Sequence, residues 1–179
     1  MKTEFRQAVL PGELRSLMAF DRKVFSAADV FPSSYWKACE AWWMLIDGLK
    51  AGCCAFQLNI DFQEDVVDFP EDVADGWNPV SSGTLYIATT GLLPEYQGRG
   101  FGPLLKAWQI AWARRHGYSR IVTNTRKRNK RMIELNTKFG FVVVRTTPGY
   151  YAEPTDATVV MELLLPKPRR AVKRKQIMR

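Results

Sequence analysis

Gly91-Leu92-Leu93-Pro94-Glu95-Tyr96-Gln97-Gly98-Arg99-Gly100-Phe101-Gly102-Pro103 joins an apolar β-type run, Leu85 to Leu93, to a helical run, Pro103 to His116. Glycines alternate at 98, 100 and 102. A backbone without Cβ lets its N–H groups approach an anion closely. The helix that follows aims its free N–H groups and its dipole at the same spot, which makes a phosphate site. Pro103 supports the helix start, where its missing donor costs nothing.

Two common phosphate motifs are excluded. A Walker loop needs Lys-Ser/Thr after its last glycine, and Pro103-Leu104 stands there. A G-x-G-x-x-G fingerprint starting at Gly98 needs a glycine where Pro103 stands. The spacing present is Gln97-x-x-Gly100-x-Gly102 after Leu92-x-Pro94. It resembles the pyrophosphate loop of the GNAT (Gcn5-related N-acetyltransferase) family.

Composition bounds the class. A chain of 179 residues, 46% hydrophobic and with six tryptophans, can bury a sizeable single core. No apolar run approaches membrane-span length, and Met1 to Arg6 does not read as a signal peptide, so a cytoplasmic location is expected. Cys39, Cys53 and Cys54 are odd in number and lack C-x-x-C spacing, which suits buried thiols in a reducing cell. His116, the only histidine, precedes Gly117 and reads as a helix end, so no metal site is expected.

The charge is uneven. The segment 166–179 carries Lys167, Arg169, Arg170, Lys173, Arg174, Lys175 and Arg179, and removing those seven from the net +8 leaves +1. This basic tail reads as solvated and disordered, and nucleic acid is a partner only through it.

Along the chain, residues 4–10 form an edge strand. A helix opens at Pro11 with Leu14, Leu17, Met18 and Phe25 on one side, and Ser33 caps a second, short helix. Residues 41–58 form a hairpin turning at Asp47-Gly48. Residues 59–83 are an acidic insertion without Lys or Arg, either a solvated excursion or a lid that attracts a cation. The central strand follows, with Gly91 marking a bulge or a close backbone approach. The next helix turns Leu104, Leu105, Trp108, Ala111 and Trp112 to the core. Residues 120–124 are a strand parallel to the central one. A helix over 126–139 turns Met132, Leu135 and Phe139 towards the core, and strands over 141–147 and 157–165 pair antiparallel.

Asn129 to Phe141, with an asparagine at the helix start and Gly140-Phe141 after its end, resembles the second GNAT signature. With the Asp-Gly hairpin, the likeness spans about residues 4 to 165. It implies an α/β (α+β) fold: a mixed, mostly antiparallel sheet of six to seven strands flanked by about four helices. It implies one domain over 1–165 that transfers acetyl from acetyl-CoA to an amine.

The likeness also implies roles. Leu92 and Leu93 would offer backbone groups to the pantetheine arm. Gln97, Gly98, Arg99, Gly100, Phe101 and Gly102 would hold the pyrophosphate, and Asn129 would bond adjacent cofactor atoms. Arg131, with Arg126, Lys127, Arg128 and Lys130, has the charge for a 3′-phosphate. Two positions depart from the family pattern: Tyr86 replaces a glutamate of the histone-acetyltransferase branch, and Asn136 replaces a tyrosine acid. Tyr86, Asn136, Tyr150 and Tyr151 are the catalytic candidates; Glu40, Asp61, Glu64, Glu153 and Asp156 are candidate bases. These departures keep open a non-catalytic coenzyme A-binding protein. Oligomeric state, a homodimer included, is left open.

Overall fold

The computed structural model describes residues 1–58 and 83–165. The acidic insertion, apart from Gly83, and the basic tail lie outside the described residues. The elements in order are β1 (Thr3–Gln7), α1 (Leu14–Val24), α2 (Ser33–Ala38), β2 (Glu40–Ile46), β3 (Leu49–Leu58), β4 (Thr84–Leu92), α3 (Phe101–Arg115), β5 (Arg120–Arg126), α4 (Lys130–Lys138), β6 (Val142–Tyr151) and β7 (Asp156–Leu164). Short 3-10 turns at Ala27–Asp29 and Pro94–Tyr96 punctuate the chain.

Among the described residues the strands form one seven-stranded sheet in the order β1-β2-β3-β4-β5-β7-β6. Only β4 and β5 are parallel neighbours, joined by the α3 crossover; every other pair is antiparallel. Residues 41–58 turn as expected: Asp47 (φ 49°) and Gly48 (φ 82°) are both left-handed, the conformation of a two-residue hairpin turn. Asp47 Oδ1 accepts from Lys2 N at 2.7 Å, which docks β1 on the sheet edge.

The sheet divides the core. One face packs Met44, Phe56, Leu85, Ile87, Ile121 and Met161 with Leu105 and Trp112 of α3. The other packs Trp43, Cys53 and Ala55 with Leu17 and Phe20 of α1 and Trp36 of α2.

Four expectations are corrected. Pro32, not Ser33, is the N-cap residue of α2, and no side chain caps it. Phe25 lies past the end of α1. Leu104 is exposed, and the inward face of α3 includes Lys106 and Gln109 instead. Met132 and Leu135 are only half-buried, Phe139 is half-buried but packs against the core, and Asn136 is the fully buried residue of α4. Of the two readings open for Gly91, a bulge or a close approach, the bulge of β4 lies elsewhere. Ala55 pairs with Thr89 and Phe56 with Ile87, so Ala88 is the extra residue.

Gly91 is instead a close approach. A Cβ there would stand 2.7 Å from Val24 Cγ1 and 3.3 Å from Phe25 Cζ. Val24 is branched and cannot swing clear, so α1 itself must move. Gly91→Ala is therefore expected to cost about 1–3 kcal/mol, a drop of roughly 2–10 °C in Tm by scanning calorimetry.

Candidate active site

The site begins where a ladder stops. Thr84 to Ile87 of β4 pair with Arg120 to Thr123 of β5. The Thr123 hydroxyl donates to Ile87 O at 3.1 Å beside the last rung. Beyond it β4 pairs only with β3, and β5 only with β7. Two parallel neighbours thus part, and unpaired edges face a gap.

A cavity of about 680 Å³ opens in that gap. Ala88, Thr89 and Thr90 form one wall, and Thr123 to Arg126 the other. Lys106 of α3 lies at its base; Asn129 and Met132 flank it, and Tyr150, Tyr151 and Glu153 border it. Gln109 Nε2 donates to Thr90 Oγ1 at 2.8 Å and ties α3 to the β4 wall.

One buried arginine holds the roof. Arg126 Nη2 meets Asp29 Oδ1 at 2.6 Å and Nε meets it at 3.0 Å, a forked ion pair spanning 97 residues. The same guanidinium donates to Pro154 O at 2.8 Å and Glu153 O at 3.0 Å, and lies 4.0 Å from the Tyr151 ring centroid. It thereby joins the α1–α2 connection to the β6–β7 turn. Burial pushes the Asp29 carboxyl up, but Arg126 and the Ser26 hydroxyl outweigh it and hold it below the ordinary carboxylate value. Arg126 is thus withdrawn from the set expected to meet a 3′-phosphate. Lys127, Arg128, Lys130 and Arg131 stay exposed.

The loop expected to hold a phosphate lies outside this cavity. Gly98 (φ 71°) and Gly100 (φ 85°) are left-handed, and a Cβ at either would meet open space. The glycines are required by conformation, not crowding. Gly100 is the N-cap residue of the fifteen-residue α3. The N–H groups of Gly98, Arg99 and Gly100 make no backbone hydrogen bond among the described residues. Arg99 donates to Glu95 O at 3.2 Å and stands 5.6 Å from the Phe101 ring centroid.

Some expected roles meet occupied groups. Leu93 N donates to Ala51 O, and Leu93 O accepts from Tyr96 N, each at 2.9 Å. Gln97 Nε2 donates to Leu92 O at 2.9 Å. Neither leucine lines the cavity; Ala88 to Thr90 take the wall position instead.

Of the catalytic candidates, Tyr150 and Tyr151 border the cavity. Tyr86 donates its hydroxyl to Asn124 Oδ1 at 2.7 Å. Burial pushes the Tyr86 phenol well above 10, so it stays protonated at neutral pH. Asn124 Nδ2 has no partner among the described residues, and Asn124 lines the cavity. Asn136 is buried away from it, its Nδ2 donating to Met161 Sδ at 3.7 Å. Glu40 accepts from Trp42 Nε1 at 2.8 Å on β2, away from the cavity, and Asp156 accepts from Ala157 N at 2.8 Å in the hairpin turn. Of the candidate bases among the described residues, only Glu153 borders the cavity. Asn129 caps α4, its side chain accepting from Met132 N at 3.2 Å, which leaves Nδ2 for a ligand. Among the described residues no group of three or more metal-binding side chains gathers, and no helix is long and apolar enough to cross a membrane.

The sequence profile of the acetyltransferase (GNAT) family matches residues 13–141. The chain belongs to that family. A Drosophila melanogaster protein named probable N-acetyltransferase san is 33% identical over 138 residues, covering 75% of this chain and 70% of that one. The ribosomal-protein-S18-alanine N-acetyltransferase of Escherichia coli has the same fold, with a TM-score of 0.72 at 13% identity, over 96% of this chain and 99% of the other. A chain of the NatC complex, solved with Gag peptide and coenzyme A, gives 0.70 at 14% identity, over 93% and 100%.

For a GNAT chain the residues present suit coenzyme A. The parted strands offer unpaired edges, Asn124 offers an orphaned amide donor, and the loop before α3 offers free N–H groups. What sequence reasoning missed is Lys106. It is 1% exposed, with its Nζ 5.3 Å from the Phe141 ring centroid. Among the described residues it forms no salt bridge. A signal was present: Lys106, Ile110 and Ala113 fall on one helical face, and the other two are apolar.

Burial pushes the Lys106 ammonium down to about 8. The unfolded lysine titrates near 10.5, so below about pH 8 both states are charged and the folded state carries the whole penalty, on the order of 3 kcal/mol. That penalty fades as pH rises from about 8 towards 10.5. Lys106→Met should therefore raise Tm at pH 7, and the gain should shrink across that window in pH-dependent thermal melts.

Proposed function

We propose that this chain transfers an acetyl group from acetyl-CoA directly to the primary amine of a peptide-like acceptor. The observation that carries the reading is the cavity at the β4–β5 parting, which joins the family's donor side to an aromatic mouth. Acetyl-CoA supplies an activated thioester there. The loop 97–102 would hold its pyrophosphate with backbone N–H groups and the α3 dipole. Asn129 and the exposed Arg131 would meet the adjacent cofactor atoms and the 3′-phosphate. The bulge at Ala88 frees main-chain groups from the ladder, and Asn124 Nδ2 is fixed by the Tyr86 hydroxyl on its other atom. Donors fixed before the reaction need no reorganisation as charge develops on a carbonyl oxygen.

The acceptor enters under the roof. Tyr150, Tyr151 and Phe31 supply flat apolar surface, and Glu153 an acidic edge. Those features favour an extended chain bearing an amine. The names of two fold relatives, one acting on a ribosomal-protein alanine and one bound to a peptide, support the same class. The amine must lose its proton before attack, with Glu153 or water as the acceptor of that proton. Cys39, Cys53 and Cys54 are free thiols, which supports a reducing, cytoplasmic setting.

Thiol release from acetyl-CoA should be seen with peptides bearing a free amine and not with the same peptides fully blocked. Acetyl-CoA at about a hundred times its Kd should stabilise the protein by about 2.7 kcal/mol. A stabilised protein that releases no thiol across peptides, free lysine and polyamines would mean a coenzyme A-binding protein without turnover. A protein whose Tm ignores acetyl-CoA would end the cofactor reading too.

A further inference from the structure

Acyl transfer from a thioester leaves a thiolate, and a thiolate in a closed cavity needs a proton or a cation. The candidate side chains supply few. Asn136 carries no transferable proton and donates to Met161 Sδ. The Tyr86 proton is spent on Asn124. Tyr151 sits under the Arg126 guanidinium, which is itself spent on Asp29 and two carbonyls. Lys106 is different. It is buried, lines the cavity, and makes no hydrogen bond or ion pair among the described residues. Its helix starts at the loop proposed to hold the pyrophosphate, so donor loop and ammonium are set by one rigid element.

We infer that Lys106 is the proton donor to the departing sulfur of coenzyme A. This rests on the acetyltransferase reading above. The acceptor nitrogen forms its bond to the acetyl carbon, and the carbon–sulfur bond breaks with its electron pair going to sulfur. The Lys106 Nζ proton moves to that sulfur, giving the free thiol. The acceptor nitrogen gives up its own proton to Glu153 or water. Neutral Lys106 then takes a proton from water at the cavity mouth.

The surroundings permit this. Cys54 of β3 acts on the Lys106 charge, but burial pushes its thiol up to about 12, so it stays neutral and does not pair with the ammonium. Tyr86 of β4 is a neutral phenol, and Tyr150 and Tyr151 of β6 lie across the cavity. Asp29 and Arg126 cancel each other in the roof, and Glu153 borders the cavity from the β6–β7 turn. An ammonium pushed to about 8 is still charged at neutral pH and gives up its proton more easily than an exposed lysine.

The test compares coenzyme A with desulfo-coenzyme A, which lacks only the sulfur. If Lys106 faces the thiol, the pair loses one proton more easily than either group alone. Calorimetric affinity for coenzyme A relative to the desulfo analogue should then rise about tenfold between roughly pH 6 and 9 in the wild-type protein. The ratio should be flat in Lys106→Met, whose kcat should fall about a hundredfold while desulfo-coenzyme A binds as before. Lys106→Gln is the second variant should Lys106→Met not fold, and the wild-type ratio stands without either. A flat wild-type ratio in an enzyme that turns over overturns this inference alone. So does an acetyl group found on Lys106 by mass spectrometry, which would make it an acceptor. Failure of the wild type to bind either compound overturns the acetyltransferase reading with it.

Discussion

The structure depends on one interruption: the parallel ladder between β4 and β5 ends at Ile87 and Thr123 while both strands run on. Unpaired main-chain groups in a protein interior are costly, so such an end persists only when each strand is held from its other side. β3 holds β4 and β7 holds β5. The order β5-β7-β6 matters here, because β7 bonds to β5 through Arg126, past the point where β4 has left. The bulge at Ala88 marks the departure on the β4 side. The gap is therefore built into the topology and does not wait for a ligand to open it.

Charge is distributed around that gap in two ways. Arg126 is buried and pairs with a half-buried Asp29, so the pair contributes modest net stability once desolvation is counted, while loss of Asp29 would leave a buried cation short of a partner. The pair's use is geometric: with the Glu153 and Pro154 carbonyls it fixes the distance between two connections that border the cavity. Lys106 has no such partner and lowers stability as it stands. A buried cation kept at a cost in a cavity is the pattern of a functional group, since an apolar residue there would pack as well and stabilise more.

Much of the fold was legible in the residues because local chemistry and global topology agree. Asp47-Gly48 suits a tight hairpin turn, Gly98 and Gly100 take left-handed φ, and the strand–helix–strand order dictates a parallel pair. The backbone conformation of the loop before α3 was legible for the same reason. The rest was not, because it depends on partners distant in sequence. Gly91 read as either a bulge or a close approach, and the neighbours that decide it, Val24 and Phe25, lie far away in sequence. Arg126 looked like one of a basic cluster, but its partner is 97 residues away. Lys106 hid inside an amphipathic pattern whose width was underestimated: α3 is covered by the sheet on one side and by Phe141 on another, so it buries more than a single stripe.

The most direct test is a crystal structure with coenzyme A bound. The pantetheine arm should run between β4 and β5 beside Ala88 to Thr90, with the pyrophosphate on the N–H groups of residues 98–102 and the sulfur facing the Lys106 ammonium. A coenzyme bound elsewhere, with the β4–β5 gap closed or empty, would contradict this placement of the active site.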